Sequence, residues 1–244
     1  SIPKYAIIIT DPAVISLLSD DALLTRTADN WPVSDKLHSN LTDLYQIYQF
    51  TIDGAYYGIP QHVIKNFYFS VRNDIDFYNF KLPDVNYNRR RGFVTIQDAI
   101  GDINKKAYSD VSSTYIAYCR QNQPKLTWHN LNFKRKDLCA LIKQGRSASK
   151  TPELVQKTGY VRPRYDRICP KLYNDFYLIS SKGPSVLPIE DRPFSHREGA
   201  RLFGLPDTFT WNNSAKKRDV ARMISNSVSP IFGTVVGQLL LNGI

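Results

Sequence analysis

An unbroken apolar run lies near the start of the chain. Residues 4–10, K-Y-A-I-I-I-T, show no alternation of polar and apolar positions. A run of that length, rich in β-branched residues, predicts a strand buried on both faces, as in a parallel sheet covered by helices. Residues 13–24 place Val14, Leu17, Leu18 and Leu24 at helical spacing, and residues 37–48 do the same with Leu37, Leu41, Leu44 and Tyr45. Y-Q-F-T-I-D-G-A-Y-Y-G-I-P-Q (48–61) reads as a strand closed by a Gly/Pro turn. N-F-Y-F-S-V-R (66–72) reads as a second strong strand. Strand, helix and strand in this order predict an α/β sheet.

Further on, the texture is mixed. Tyr108, Tyr115, Tyr118, Trp128, His129 and Phe133 stand among Lys and Arg. Such aromatics could stack on bases, but most are expected to form the small core of a sheet-rich domain. K-R-K-D-L-C-A-L-I-K-Q-G (134–145) predicts a helix ending at Gly145, followed by a basic loop to Lys150. N-R-R-R-G (88–92) is a charge run that fits either a solvated loop or a phosphate contact.

Residues 192–211, R-P-F-S-H-R-E-G-A-R-L-F-G-L-P-D-T-F-T-W, predict a helix with both ends marked. Ser195 and Glu198 have the spacing of a capping box. Ala200, Leu202 and Phe203 give the apolar side, and Gly204 then Pro206 stop the helix. Near the end, Phe232, Val235, Val236, Leu239 and Leu240 make the apolar stripe of another helix.

The remaining composition narrows the setting. A chain of 244 residues can make one large domain or two small ones. No apolar run nears the roughly 20 residues of a membrane helix, and the first residues lack a signal-peptide pattern. Cys119, Cys139 and Cys169 are odd in number and lack ligand spacing. They suggest a reducing compartment, cytoplasm or nucleoid or nucleus rather than secretion, with no disulfide and no metal. The formal charge of +10 suits a polyanionic partner.

The order of residues from Arg192 to Trp211 resembles a late motif of the DNA (cytosine-5)-methyltransferases, R-x-L-T-x-R-E-x-A-R-L-Q-x-F-P-D-x-F-x-F. Arg192, Arg197, Glu198, Ala200, Arg201, Leu202, Pro206, Asp207 and Phe209 match it. Ser195, Phe203, Leu205 and Trp211 are replacements. Within the helix, Arg197, Glu198 and Arg201 are expected to hold neighbouring elements and do no chemistry. Tyr56 to Arg72 resembles the family's G-V-P-Q-x-R-x-R strand region, keeping Gly58, Pro60, Gln61 and Arg72. Val63 and Lys65 stand at its two Arg positions, and Thr10-Asp11-Pro12 stands where the family has Glu-Asn-Val. Asp11-Pro12 reads by itself as a helix start. Residues 92–103 resemble the segment leading into the family's target-recognition domain, and 159–172 resemble, loosely, one of its later segments. Asn226, Val228 and Pro230 match the last motif, with Ser225 in place of Gly.

The resemblance implies a partial Rossmann-like α/β methyltransferase sheet with helices (1–88), a small mixed, β-rich target-recognition domain (89–187), and a return to the first domain (188–244). It implies S-adenosylmethionine near Asn226, Ser227 and Val228. It implies double-stranded DNA near Gln61, Lys65, Arg89, Arg90, Arg91, Lys134, Arg135, Lys136, Arg146, Arg162 and Arg164. The family's glycine-rich cofactor turn and Pro-Cys-Gln nucleophile loop do not occur in these 244 residues. None of the three cysteines is assigned as the nucleophile. Two readings follow. One is the DNA-recognition subunit of a split methyltransferase, inactive alone, whose partner chain carries the cysteine and the cofactor loop. The other is a catalytically inactive relative that binds DNA or regulates a partner; RNA is a lesser alternative substrate. On the split reading the strand 4–10 has an unpaired side and the stripe Phe232, Val235, Val236, Leu239 lacks part of its cover. An obligate, largely apolar interface follows. No membrane is expected.

Overall fold

The computed structural model describes residues 3–10, 43–77, 81–103, 114–120, 136–148, 160–178, 183–184 and 186–243. The helix expected over 13–24, together with Asp11, Pro12, Tyr108, Trp128, His129, Phe133, Lys134 and Arg135, lies outside the described residues. The chain divides into two compact units. The first comprises Ser1–Gly54, Val63–Asp84 and Val235–Ile244; the second comprises Ala55–His62 and Val85–Thr234.

The first unit is built on three strands, β1 (Tyr5–Thr10), β2 (Tyr45–Asp53) and β3 (Ile64–Arg72), in the order β1-β3-β2. Both pairings of β3 are antiparallel, with Ile7 opposite Phe69 and Tyr48 opposite Phe69. The parallel pairing expected for residues 4–10 is therefore corrected. A continuous apolar run fits any strand with apolar surroundings and carries no direction. Nor is β1 fully buried, since Ile7 keeps 37% exposure and β1 has one bonded neighbour among the described residues.

The helix expected over 37–48 is also corrected where it is described. Tyr45–Tyr48 belong to β2, while 37–42 lie outside the described residues. Tyr45, Ile47, Tyr48, Phe50 and Ile52 are strand-favouring residues, and pairing with β3 decides their state over a weak helical period. The register places Tyr5, Phe69, Val71, Tyr48 and Phe50 on one face. There Phe69 and Val71 are buried with Leu239, flanked by Ile75, Phe77 and Leu240. Phe50 stacks on Phe67 at 5.4 Å between ring centres.

The second unit holds α1 (Ile96–Ile100), α2 (Thr114–Arg120), α3 (Lys136–Ala140), α4 (His196–Leu202), α5 (Lys217–Ser225) and the start of α6 (Pro230–Gly243). A small mixed sheet joins β4 (Arg146–Ser147), β5 (Tyr160–Arg162) and β6 (Gly183–Pro184). Its core gathers Ile96, Ile100, Tyr115, Cys119, Cys169, Leu172, Phe176, Phe194, Leu202 and Ile224. Tyr115 and Tyr118 thus join or pack on the core, as expected of them. The helix expected over 134–145 is shorter, because after Ala140 the chain tightens. The amide of Ile142 donates to the carbonyl of Cys139 at 3.1 Å, and that of Arg146 to Lys143 at 3.0 Å. This turn delivers β4.

The stripe on α6 has its cover. Phe232, Val235, Val236 and Leu239 are buried at 7% exposure or less, and the exposed apolar residue of the helix is Leu241. The missing cover expected there is corrected, because these four side chains are buried within this chain. By length and hydropathy alone, the helical stretch Lys217–Asn242 could cross a membrane. The break between Ser225 and Pro230 divides it into α5 and α6, and Arg218, Asp219 and Arg222 lie on it.

Candidate functional site

The local cause of the site is α4. Its expected capping box is formed: the Ser195 hydroxyl accepts from the Glu198 amide at 3.1 Å, and the Glu198 carboxylate accepts from the Ser195 amide at 2.7 Å. All seven helical residues are buried. A charged helix in that position must satisfy its charges internally. Arg192 clamps Glu198 with two bonds of 2.8 Å. Arg201 donates to both oxygens of Asp207 at 3.0 and 2.6 Å, and is also paired with Asp102. Arg197 donates to the carbonyls of Pro206 at 3.2 Å and Phe209 at 2.9 Å. These groups hold neighbouring segments, as expected for Arg197, Glu198 and Arg201.

The end of α4 positions the last motif. Gly204 has φ +77°, and an added Cβ would lie 2.2 Å from the Ser229 hydroxyl oxygen. A side chain there would meet both backbone strain and a clash. The close approach fixes Ser229 beside the helix end, and Tyr118 donates to the Gly204 carbonyl at 2.8 Å. Just before Ser229, Asn226 caps α5, its amide donating to the Arg222 carbonyl at 3.0 Å. The Ser227 hydroxyl donates to the Ile224 carbonyl at 2.7 Å. The side chains of Asn226 and Val228 are exposed. Asn226 lines an open depression of about 370 Å³ with Asp219, Arg222 and Met223.

That donor set suits the polar, amino-acid end of a nucleoside cofactor: an amide, a carboxylate and a guanidinium. Met223 alone offers too little apolar surface to cover a purine. The remainder of an enclosure would come from residues beyond 219–228. Among the described residues, no group of His, Cys, Asp and Glu could hold a metal ion.

The structure sorts the expected nucleic-acid contacts. Arg89, Arg90 and Arg91 are exposed on a tight turn. The Asn88 side-chain oxygen accepts from the amides of Arg90 and Arg91, each at 2.9 Å, and Asn88 bridges Gly92, whose φ is +84°. Arg146 and Arg164 are exposed, and Arg164 pairs with Asp166 at 3.0 and 2.7 Å. Lys136 opens α3.

Three others turn inward. Gln61 is fully buried, its amide donating to the Leu202 carbonyl at 3.2 Å and accepting from the Leu172 amide at 2.7 Å. Lys65 is buried within β3. Arg162 is buried and donates to the Cys139 carbonyl at 2.6 Å and to Asp191 at 2.5 Å. No local pattern warns of this, because Arg162 and Arg164 stand alike in Y-V-R-P-R-Y. Only the pairing of β5 sends the first inward.

The three cysteines are free and buried. Burial pushes the Cys119 thiol up to about 12 and that of Cys169 further still. Neither is a thiolate near neutral pH.

His196 links α4 to α5. Its Nε2 lies 2.7 Å from the Lys217 carbonyl, and its ring packs 4.7 Å from Tyr177. The carbonyl partner requires Nε2 to carry the proton. Burial lowers its pKa below the ordinary histidine value. The unfolded chain then takes up a proton that the folded chain resists. This contribution to stability is full above about pH 6.5 and is lost as pH falls through the folded pKa. Thermal melts from neutral pH down to pH 5 should show the loss, and His196→Gln should show a smaller one. Equal acid sensitivity in the two proteins would remove His196 as the cause.

These strands and helices make an α/β fold. The profile of the C-5 cytosine-specific DNA methylases matches residues 26–241, and the chain belongs to that family. The type II methyltransferase M.BspRI of Lysinibacillus sphaericus is 27% identical over 166 residues, spanning 61% of this chain and 38% of that enzyme. The match thus takes in well under half of that relative's length. Two solved structures share the fold. One is described as a DNA modification methyltransferase encoded within an E. coli prophage (TM-score 0.71, 16% identity, 99% of this chain and 70% of the other). The other is the S. pombe Dnmt2 methyltransferase (TM-score 0.54, 14% identity, 99% and 67%).

Proposed function

We propose that these 244 residues are the DNA-recognition part of a split DNA (cytosine-5)-methyltransferase of the modification type. A second chain supplies the cysteine nucleophile and the S-adenosylmethionine loop. The observation that carries the partner is the outer edge of β1. The stretch Ala6–Ile9 is apolar, Ile7 is exposed, and one strand neighbour is present among the described residues. An apolar strand edge of this kind is a template for another strand. The buried, protonated Cys119 and Cys169 support a nucleophile from elsewhere.

In the reaction class of the family, a thiolate adds to cytosine C6, C5 takes the methyl group, and loss of the C5 proton then expels the thiolate. The cofactor supplies that methyl group when bound. The residues of this chain do the positioning. Arg89, Arg90 and Arg91 hold backbone phosphates, with Arg146 and Arg164 as further contacts from residues 89–187. Asn226, Ser227 and Val228 close one side of the cofactor, with the Asn226 amide as the polar contact.

A second reading, a catalytically inactive DNA-binding or regulatory relative, is favoured by one observation. Val63 and the buried Lys65 stand at the two arginine positions of the G-V-P-Q-x-R-x-R region.

Labelled methyl transfer to duplex DNA separates the readings. The chain alone should incorporate none, and mixing with the cofactor-and-cysteine chain should give incorporation. Asn226→Ala should then raise the KM for S-adenosylmethionine about tenfold, the loss of roughly one charge-assisted hydrogen bond, while assembly is unchanged. Incorporation by the chain alone that disappears with Cys119→Ser, Cys139→Ser or Cys169→Ser would sink the split-enzyme reading.

A further inference from the structure

We propose that Lys216, Lys217 and Arg218, with Phe209 and Trp211, form a second contact for the phosphate backbone of duplex DNA, separate from the Arg89–Arg91 turn. The proposal rests on the reading that this chain acts on DNA.

The aromatic half of the contact is held rigidly. Beyond α4, Arg197 anchors the carbonyls of Pro206 and Phe209 and lies 5.4 Å from the centre of the Trp211 ring. Phe209 and Trp211 meet edge to face at 5.2 Å. Even so, Phe209 keeps 47% exposure. A large ring is thus presented to solvent by a loop whose backbone is bonded to a buried guanidinium.

The basic half follows at once. The Asn212 carbonyl accepts from the Ala215 amide at 2.9 Å, and its side-chain oxygen accepts from the Ser214 amide at 3.0 Å and the Ser214 hydroxyl at 2.9 Å. This reversal leaves Trp211 at one end of the turn and Lys216 at the other. Lys216, Lys217 and Arg218 are all exposed. Arg222 follows one turn along α5 and is exposed too. Asp219 faces Arg218 at 3.7 Å, and Asp175 lies near Tyr177 as Arg218 and Asp219 do. The cations still outnumber these carboxylates.

Their placement weakens the helix they begin. Lys216 is the N-cap and makes no side-chain capping bond. Ser, Thr, Asp or Asn there would satisfy a helix amide, and acidic residues would suit the positive end of the helix dipole. Three consecutive cations do neither. A solvated charge run needs no such placement and no anchored aromatic pair beside it. Exposed cations clustered on one face, with an exposed ring alongside, are the footprint of a nucleic-acid contact.

The test uses the whole chain and a fluorescent duplex oligonucleotide over a salt series. The variant Lys216→Gln/Lys217→Gln/Arg218→Gln should flatten the log–log salt dependence by about 0.9 per lost phosphate contact, up to about 2.7. Its thermal melt should be unchanged or raised, since cations have left the first helical turn. Phe209→Ser should weaken binding several-fold with the salt slope kept. An unchanged slope in the triple variant, while replacing Arg89, Arg90 and Arg91 still flattens it, overturns this contact and leaves the DNA reading standing. A wild-type chain with no salt-dependent duplex binding overturns both. Tighter binding to single-stranded RNA, lost in the triple variant, overturns the duplex assignment.

Discussion

Replacing Arg201 by Ala should destabilise the second unit by about 3–5 kcal/mol, the range for removing one partner of a buried ion pair. Arg201 has no solvent exposure, and Asp207 and Asp102 expose 1% and 6% of their side chains. The guanidinium also donates to the Ala99 carbonyl at 3.2 Å. Without it, Asp207 keeps only Arg197 at 3.7 Å, and Asp102 keeps Arg120 at 2.8 Å. Two carboxylates and a carbonyl are left in apolar surroundings. Arg201→Lys should rescue little, because one ammonium cannot reproduce the paired bonds to carboxylates on two edges of the guanidinium. Urea denaturation measures the loss, and adding Asp102→Asn and Asp207→Asn should recover part of it, since the stranded charges are then gone. A loss under about 1 kcal/mol, the range of exposed pairs, would show that water reaches the cluster.

The second large effect is on DNA. Arg89→Gln/Arg90→Gln/Arg91→Gln should flatten the salt dependence of duplex binding by up to about 2.7, about 0.9 for each phosphate contact, and weaken binding most at low salt. The thermal melt should not move. The side chains are exposed, and the turn is held by Asn88 and Gly92 instead. Asn88→Ala is the complementary change. It keeps every charge but removes the acceptor for two amides, so the turn loosens. Affinity should fall with the slope preserved. A triple variant that binds with the wild-type slope would assign the arginines to a solvated loop.

Features carried by a few neighbouring residues were legible in the sequence. The capping box at Ser195 and Glu198, the stop at Gly204 and the strand through Phe67 and Phe69 need only local chemistry. What depends on distant partners was not legible. Tyr45 and Ile47 favour a strand, but their state is decided by Arg72 and Ser70 lying opposite them. The direction of β1 is set by β3 and leaves no trace in an apolar run. Gln61 belongs to a family frame, yet its bonds reach Leu172 and Leu202, more than a hundred residues away in each case. No spacing rule reveals that. The full cover of the α6 stripe was missed for the same reason, since Phe69 and Val71 meet Leu239 across most of the chain.

That last meeting bears on how the protein is made. The first unit joins residues from both ends of the sequence, with Leu239 buried against strands whose members were synthesised long before. On the ribosome, β1, β2 and β3 are made before α6. Leu239, which packs against Phe69 and Val71, is made only after residues 85–234 of the second unit. Contacts of such long sequence separation form slowly, and exposed apolar strands are prone to aggregate in the interval. A stalled or truncated nascent chain ending before α6 would therefore be a client for chaperones rather than a folded intermediate.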